Sequence, residues 1–156
     1  MSEKNTQVVY IMGSLKNQEI PETAKKIRNL GFGEVFDDWF SPGPNADDHW
    51  RDFEKVRGSS YKEALSNFAA THVFEFDKYH IDRSDIGILH MPAGKSGHLE
   101  LGYMIGQGKK CLIYFDEEPE RWDVMYQFAH GLCFSWEELE EELLKLKVDN
   151  KTKIKE

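Results

Sequence analysis

Glu100 is the residue whose type and position most directly suggest chemistry. It follows an apolar run, Ile86–Leu89, and a loop of small residues, and it stands in the first turn of a predicted helix. Loop amides and a helix N-terminus favour an anion, and loop glycines let a ligand approach the backbone closely. We therefore predict an active site here, with Glu100 held in its ionised form. The alternative is a helix-capping role, with Gly97 as the N-cap residue.

Short apolar runs alternate with amphipathic segments along the chain. The predicted strands are 7–12, 34–36, 86–89, 110–115 and 132–134. The predicted helices begin near 21, 47, 59, 100, 120 and 135, and Phe68, Val73 and Phe74 are expected to face the core. This alternation predicts an α/β fold, a single-domain flavodoxin- or Rossmann-like three-layer sandwich with a four- to five-stranded parallel sheet. Residues 1–148 would form the domain, and 149–156 a frayed basic tail.

The loops after Met12 and His90 follow the first and third predicted strands. In such sheets, ligands bind beyond the carboxyl ends of the strands, where the strand order switches. Both loops are rich in small and basic residues. We expect them to form the two sides of one binding site.

Composition limits the classes of partner. The 156 residues carry a net charge of −8, which disfavours a nucleic acid polymer, and no apolar run approaches the length of a membrane span. Cys111 and Cys133 lie in apolar contexts, and no signal peptide is visible. We expect a reduced, cytoplasmic protein.

The histidines show no metal-ligand spacing. His72 and His80 are eight residues apart, and a Gly/Pro loop separates His90 from His98, so neither pair has the i, i+4 spacing of helical ligands. We predict no metal site and no cofactor.

Three sequence blocks, taken in order, resemble the nucleoside 2-deoxyribosyltransferase superfamily, including its branch of 2'-deoxynucleoside 5'-monophosphate N-hydrolases. The first is Tyr10–Lys16, an aromatic residue followed by glycine, serine and a basic residue. The second is the pair Asp77 and Asp85, just before the third strand. The third is Gly97–Tyr103, which is similar to the block that carries the family's catalytic glutamate.

The resemblance implies cleavage of an N-glycosidic bond. Glu100 would attack C1' as a carboxylate, as in retaining glycosidases, and water or another base would release the sugar. Tyr10 would orient that carboxylate, and Asp77 would protonate the departing base or hold the sugar hydroxyl in place. Asp85 would hold the loop. Tyr10 as a core tyrosine and Asp77 as a helix cap or salt-bridge partner remain the structural alternatives.

The substrate contacts implied by the resemblance fall in two loops and one aromatic segment. The 5'-phosphate would be bound by Ser14, Lys16 and Ser96, together with Lys95 and the loop amides, unless Ser14 and Lys16 form an ordinary exposed turn. Gly13 and Gly97 would be further substrate contacts. The loop before Glu100 is about one residue shorter than in the N-hydrolases, and the aspartate that the transferases carry near Gly94 is absent. Asp38–Trp50 would form a lid over the base, with Asp38 and Trp39 as contacts, although such aromatics also commonly pack in cores or interfaces.

The resulting function is hydrolysis of a (deoxy)nucleoside 5'-monophosphate to free base and sugar phosphate. The alternatives are base exchange by a nucleoside transferase and a non-catalytic nucleotide-binding or sensing module on the same fold. The partner would be a small-molecule nucleotide or nucleoside. By resemblance we also expect a homodimer or higher homo-oligomer, with Trp122–His130 as the candidate contact.

Overall fold

The structure, a computed structural model, describes residues 4–148. Its strands are β1 (Val8–Met12), β2 (Glu34–Phe36), β3 (Ile86–His90), β4 (Lys110–Tyr114) and β5 (Gly131–Cys133). They form one parallel sheet in the order β2-β1-β3-β4-β5, which confirms the predicted α/β class and strand number. The predicted tail, 149–156, lies outside the described residues.

Within residues 4–148, six α-helices and two short 3-10 helices accompany the strands. The α-helices are α1 (Ile20–Arg28), α2 (Ala46–Val56), α3 (Tyr61–Ser66), α4 (Phe68–Asp82), α5 (Lys95–Gly106) and α6 (Trp136–Leu146). The 3-10 helices are Asp38–Phe40 and Val124–Phe128. At the start of α6, Ser135 Oγ accepts a hydrogen bond from Glu138 N at 3.1 Å, the N-cap contact predicted from the sequence. Among the described residues, no helix has the length and apolar character that a bilayer crossing requires.

Alternation of side chains along the strands divides the core into two layers. Val9 and Ile11 face α1 and α6, whereas Tyr10 and Met12 face the side covered by α4 and α5. Because successive strand residues point to opposite faces, a nearly continuous apolar strand needs helices on both sides. This arrangement is the predicted three-layer sandwich.

The crevice of the sheet lies between β1 and β3. The chain proceeds from β1 to β2 on one side and to β3 on the other, so the strand order switches there. Gly13 ends β1 at this point, and a Cβ on it would stand 2.8 Å from Ile20 Cδ1 and 3.3 Å from the carbonyl oxygen of His90. A larger residue would require the Ile20 side chain and the His90 backbone to shift, so this close approach favours glycine. The loops after β1 and β3 therefore touch, as expected.

The predicted helix over 120–130 is wrong. Asp123 has an extended backbone, its side chain accepts a hydrogen bond from Met125 N, and only a short 3-10 turn follows. Trp122, Val124 and Phe128 expose 78%, 74% and 68% of their surface. Most helical stability comes from packing an apolar face, and these side chains pack against no such surface in the described part of the chain.

The expectation that Phe68, Val73 and Phe74 face the core is also wrong. They are 85%, 59% and 65% exposed, and Ile81 is the buried residue of α4. Apolar residues occur on every side of this helix, so periodicity could not choose its inner face. Packing against the sheet near the C-terminal end of α4 makes that choice.

Candidate active site

Tyr10, Asp77 and Glu100 converge on the face of the sheet covered by α4 and α5. Tyr10 comes from the middle of β1, Asp77 from α4 and Glu100 from α5. The charges of Glu100 and Asp77 both act on the Tyr10 hydroxyl, and the charge of Asp77 acts on Glu100. Residues that are distant in sequence therefore form one electrostatically coupled group.

The electrostatic state of Glu100 differs from the sequence prediction. Burial, followed by the charge of Asp77, raises the pKa of Glu100 to about 8. The helix begins earlier than expected, with Gly94 as its N-cap, so Glu100 is the sixth helical residue and Gly97 the third. The favourable field of a helix N-terminus falls off within the first turn. Neither helix capping nor dipole stabilisation therefore describes Glu100.

Asp77 and Tyr10 are perturbed by the same environment. Burial raises the pKa of Asp77 to about 6. Burial, and then the two carboxylate charges, raises the pKa of Tyr10 well above its usual range. The Tyr10 hydroxyl is buried and has no hydrogen-bond partner among the described residues. It therefore remains a neutral donor, available to a carboxylate or a ligand.

The pair of carboxyl groups suits acid–base and nucleophilic chemistry. Two carboxyls in one poorly solvated pocket resist double ionisation, so one proton stays on the pair near neutral pH. Their protonation steps belong to the pair rather than to either residue. An ionised carboxylate beside a protonated one is the arrangement by which retaining glycosidases attack a sugar carbon and protonate its leaving group.

A stack of rings positions this group, and the sequence analysis did not identify it. Phe36 stacks on Tyr10 with centroids 5.4 Å apart and on His80 with centroids 4.0 Å apart. Arg83 donates from Nε to His80 Nδ1 at 2.8 Å and pairs with Glu34 on the edge strand. The stack and the ion pair tie the end of α4 to the sheet. A sequence signal did exist, since His80 lies one helical turn after Asp77.

The loop after β1 is a compact turn. Ser14 Oγ accepts a hydrogen bond from Lys16 N at 3.1 Å, and the Ser14 carbonyl accepts one from Asn17 N at 2.9 Å. The hydroxyl hydrogen of Ser14 remains available for a ligand. The Lys16 side chain is exposed.

The start of α5 lies against this turn. Lys95 and Ser96 are the first two helical residues and are exposed, whereas Gly97 is buried. A Cβ on Gly97 would stand 3.6 Å from Gly13 N. The free backbone N–H groups at the start of a helix can bind an anion. The two halves of the predicted phosphate site therefore adjoin.

The predicted lid is partly built into the wall of the pocket. Trp39 Nε1 donates to the Ile11 carbonyl at 2.7 Å, and its ring packs against both core layers. Asp38 is exposed beside it, and the segment from Ala46 onward forms α2. This anchoring makes Trp39 a fixed wall rather than a mobile cover.

Two cavities lie near the other edge of the sheet. One, of about 220 Å³, is lined mainly by aromatic residues including Phe115, Trp122, Tyr126 and Phe134. The other, of about 340 Å³, is lined by Val124, Met125, Gln127 and Phe128. A contact of 2.9 Å between Tyr126 Oη and His98 Nε2 links this region to α5. The predicted oligomer contact is therefore an exposed apolar surface.

A second cluster lies on the opposite face of the sheet. Glu19 precedes α1, His90 ends β3 and Asp116 follows β4, and one potential ligand atom from each lies within 4.8 Å of the others. The sequence analysis did not connect these residues, because their separations of 71 and 26 positions match no motif.

No protein-family model matches the chain, and no curated protein matches it in sequence. The fold is similar to that of a 2-deoxyribosyltransferase from Bacillus psychrosaccharolyticus, with a TM-score of 0.56 and 21% identity over 91% of this chain and 97% of that one. It is also similar to a Clostridium botulinum CMP N-glycosidase, with a TM-score of 0.53 and 16% identity over 88% of this chain and 98% of that one. These likenesses establish a shared fold.

Proposed function

We propose that this chain belongs to the nucleoside 2-deoxyribosyltransferase superfamily and hydrolyses the N-glycosidic bond of a (deoxy)nucleoside 5'-monophosphate. The observation that carries the proposal is the electrostatically coupled group at the switch in strand order, in which the buried Tyr10 adjoins the partly buried Asp77 and Glu100. The structural likenesses to a 2-deoxyribosyltransferase and a CMP N-glycosidase support it at the level of the fold.

The reaction proceeds in two displacements. The reactive form is the one in which the single proton of the pair lies on Asp77, although Glu100 has the higher pKa of the two. In this form the Glu100 carboxylate forms a bond to C1' as the C1'–N bond breaks, and the departing base takes the bonding pair and the proton from Asp77. Water then attacks C1', its proton returns to Asp77, and Glu100 leaves as a carboxylate. When substrate binds, the Tyr10 hydroxyl, which has no hydrogen-bond partner among the described residues, donates a hydrogen bond to the Glu100 carboxylate. The products are free base and sugar phosphate.

The phosphate is placed between the turn after β1 and the start of α5. Ser14 and Ser96 supply hydroxyls, Lys16 and Lys95 supply charge, and the buried Gly97 keeps the helix amides accessible. Such a combination suits a phosphate dianion. The adjoining positions of the two loops support this placement.

A screen of the common ribo- and deoxyribonucleoside monophosphates for base release tests this function. We expect release from at least one monophosphate and slower release from the matching unphosphorylated nucleoside, because the phosphate site would be empty. If chromatography detects no base from any nucleotide, the chain is a binding or sensing module rather than an enzyme.

A second free base in the same reaction distinguishes hydrolysis from transfer. We expect sugar phosphate to accumulate without formation of a new nucleotide. Base exchange is the alternative, since one of the structures with this fold is a 2-deoxyribosyltransferase. Appearance of a new nucleotide would replace the hydrolase proposal with that alternative.

The apolar surface formed by Trp122, Val124, Met125 and Phe128 is proposed as a contact between copies of this chain. These four residues are each more than half exposed, and exposed apolar patches commonly mark interfaces. We expect light scattering to give a dimer or larger assembly, and the double substitution Trp122→Glu with Phe128→Glu to reduce its mass. An unchanged mass would place the contact elsewhere.

A further inference from the structure

His90 is a buried imidazole whose hydrogen-bonding capacity is unused. It is 0% exposed, and neither Nδ1 nor Nε2 has a hydrogen-bond partner among the described residues. Its ring stacks on Tyr114, with centroids 4.7 Å apart, which fixes the plane of the ring. Leaving a buried polar group unsatisfied is costly. The position therefore requires an explanation beyond core packing.

Two carboxylates face the same ring nitrogen. Nε2 of His90 lies 3.5 Å from Asp116 Oδ1 and 3.7 Å from Glu19 Oε2. Both distances exceed a good hydrogen bond. They are close to the roughly 3.3 Å that separates two ligands of a tetrahedral ion with bonds of about 2.0–2.1 Å. The gap is thus the size that a coordinated ion would fill.

The two carboxylates and the imidazole favour one class of metal ion over others. Imidazole nitrogen with carboxylate oxygens is a ligand set for zinc and related first-row metals, whereas magnesium and calcium prefer oxygen alone. Two carboxylates together balance the charge of a divalent ion. Without a cation or a shared proton, they repel each other.

We propose that Glu19, His90 and Asp116 form a binding site for a divalent transition-metal ion, with Zn²⁺ as the best match. The site joins the start of α1 to the ends of β3 and β4 and leaves one coordination position for water or a ligand oxygen. It lies on the face of the sheet opposite to Glu100. The proposal does not depend on the glycosidic reaction, and it departs from the sequence-based expectation of no metal.

Competition of the chelator-treated full chain with a chromophoric chelator for Zn²⁺ tests the site. We expect one Zn²⁺ per chain with micromolar affinity or better, and Co²⁺ should give the intense visible absorption of a tetrahedral complex. Glu19→Gln and Asp116→Asn should each weaken binding at least tenfold. Glu22→Gln and Glu117→Gln are the matched controls, since they remove neighbouring exposed carboxylates, and they should bind as wild type does.

Thermal unfolding supplies a second measurement. Because an ion that binds only the folded state stabilises it, Zn²⁺ should raise the Tm of wild type and of the controls, but not that of Glu19→Gln. The Glu19 side chain is 62% exposed, so this variant tests the site even if His90→Gln fails to fold. The proposal is overturned if wild type binds no ion, or if Glu19→Gln and Asp116→Asn bind it as tightly as wild type.

Discussion

Replacing Glu100 with glutamine is expected to reduce the rate of base release by roughly 10³-fold or more, the scale of losing a covalent nucleophile. The amide preserves the size of the side chain but cannot form the glycosyl ester. Wild-type enzyme quenched with acid during turnover should carry one sugar phosphate on the peptide that contains Glu100, as measured by mass spectrometry. Glu100→Gln should carry none. A variant that retains a tenth of the wild-type rate would refute the nucleophile assignment.

Stability measurements separate this loss of activity from unfolding. The pKa of Glu100 rises from 4.5 to about 8 on folding. The unfolded chain therefore binds fewer protons than the folded chain between these values, so this group lowers stability as pH rises through the interval. Removing it should make Glu100→Gln more stable than wild type at pH 8, with the difference shrinking toward pH 4.5. Glu120→Gln, which removes an exposed carboxylate, is the control and should show neither effect.

Replacing Asp77 with asparagine is expected to reduce kcat/KM by about 10²-fold, the usual contribution of a general acid. It should also change the pH profile. For wild type we expect a bell-shaped profile, because the active form carries one proton on the pair, with limbs near about 6 and about 8, the first and second ionisations of the pair. In Asp77→Asn the alkaline limb should disappear, because the amide does not titrate. The acid limb should then report the ionisation of Glu100 alone, with a pKa lower than in wild type because the charge of Asp77 is gone.

The control for this prediction is Glu75→Gln, an exposed carboxylate on the same helix. It should leave both the rate and the two limbs unchanged. If the alkaline limb persists in Asp77→Asn, another group protonates the base. The remaining limb should report the ionisation of Glu100 alone, below about 8 but still raised by burial; if it lies at about 8, the charge of Asp77 does not contribute to the raised pKa of Glu100.

Local sequence determined the strands of this protein and most of its helices. An apolar run such as Val8–Met12 has apolar side chains on both faces of a strand, and both faces must therefore be buried. A parallel sheet with helices on either side provides this burial. Small residues after β1 and β3 then place a binding crevice at the switch in strand order. The grouping of Tyr10, Asp77 and Glu100 was predicted from motif resemblance, and the fold brings the three together.

Tertiary packing decided the properties that depend on neighbours distant in sequence. The protonation state of Glu100 follows from its burial beside Asp77, and this outweighs the helix N-terminus invoked from local sequence. The buried face of α4 is set by packing against the sheet near Ile81. The segment around Trp122 forms no α-helix because its apolar side chains pack against no apolar surface of the described residues. The cluster around His90 joins the start of α1 with the ends of β3 and β4. Burial, charge proximity and ligand geometry are set by long-range contacts, which residue spacing along the chain does not encode.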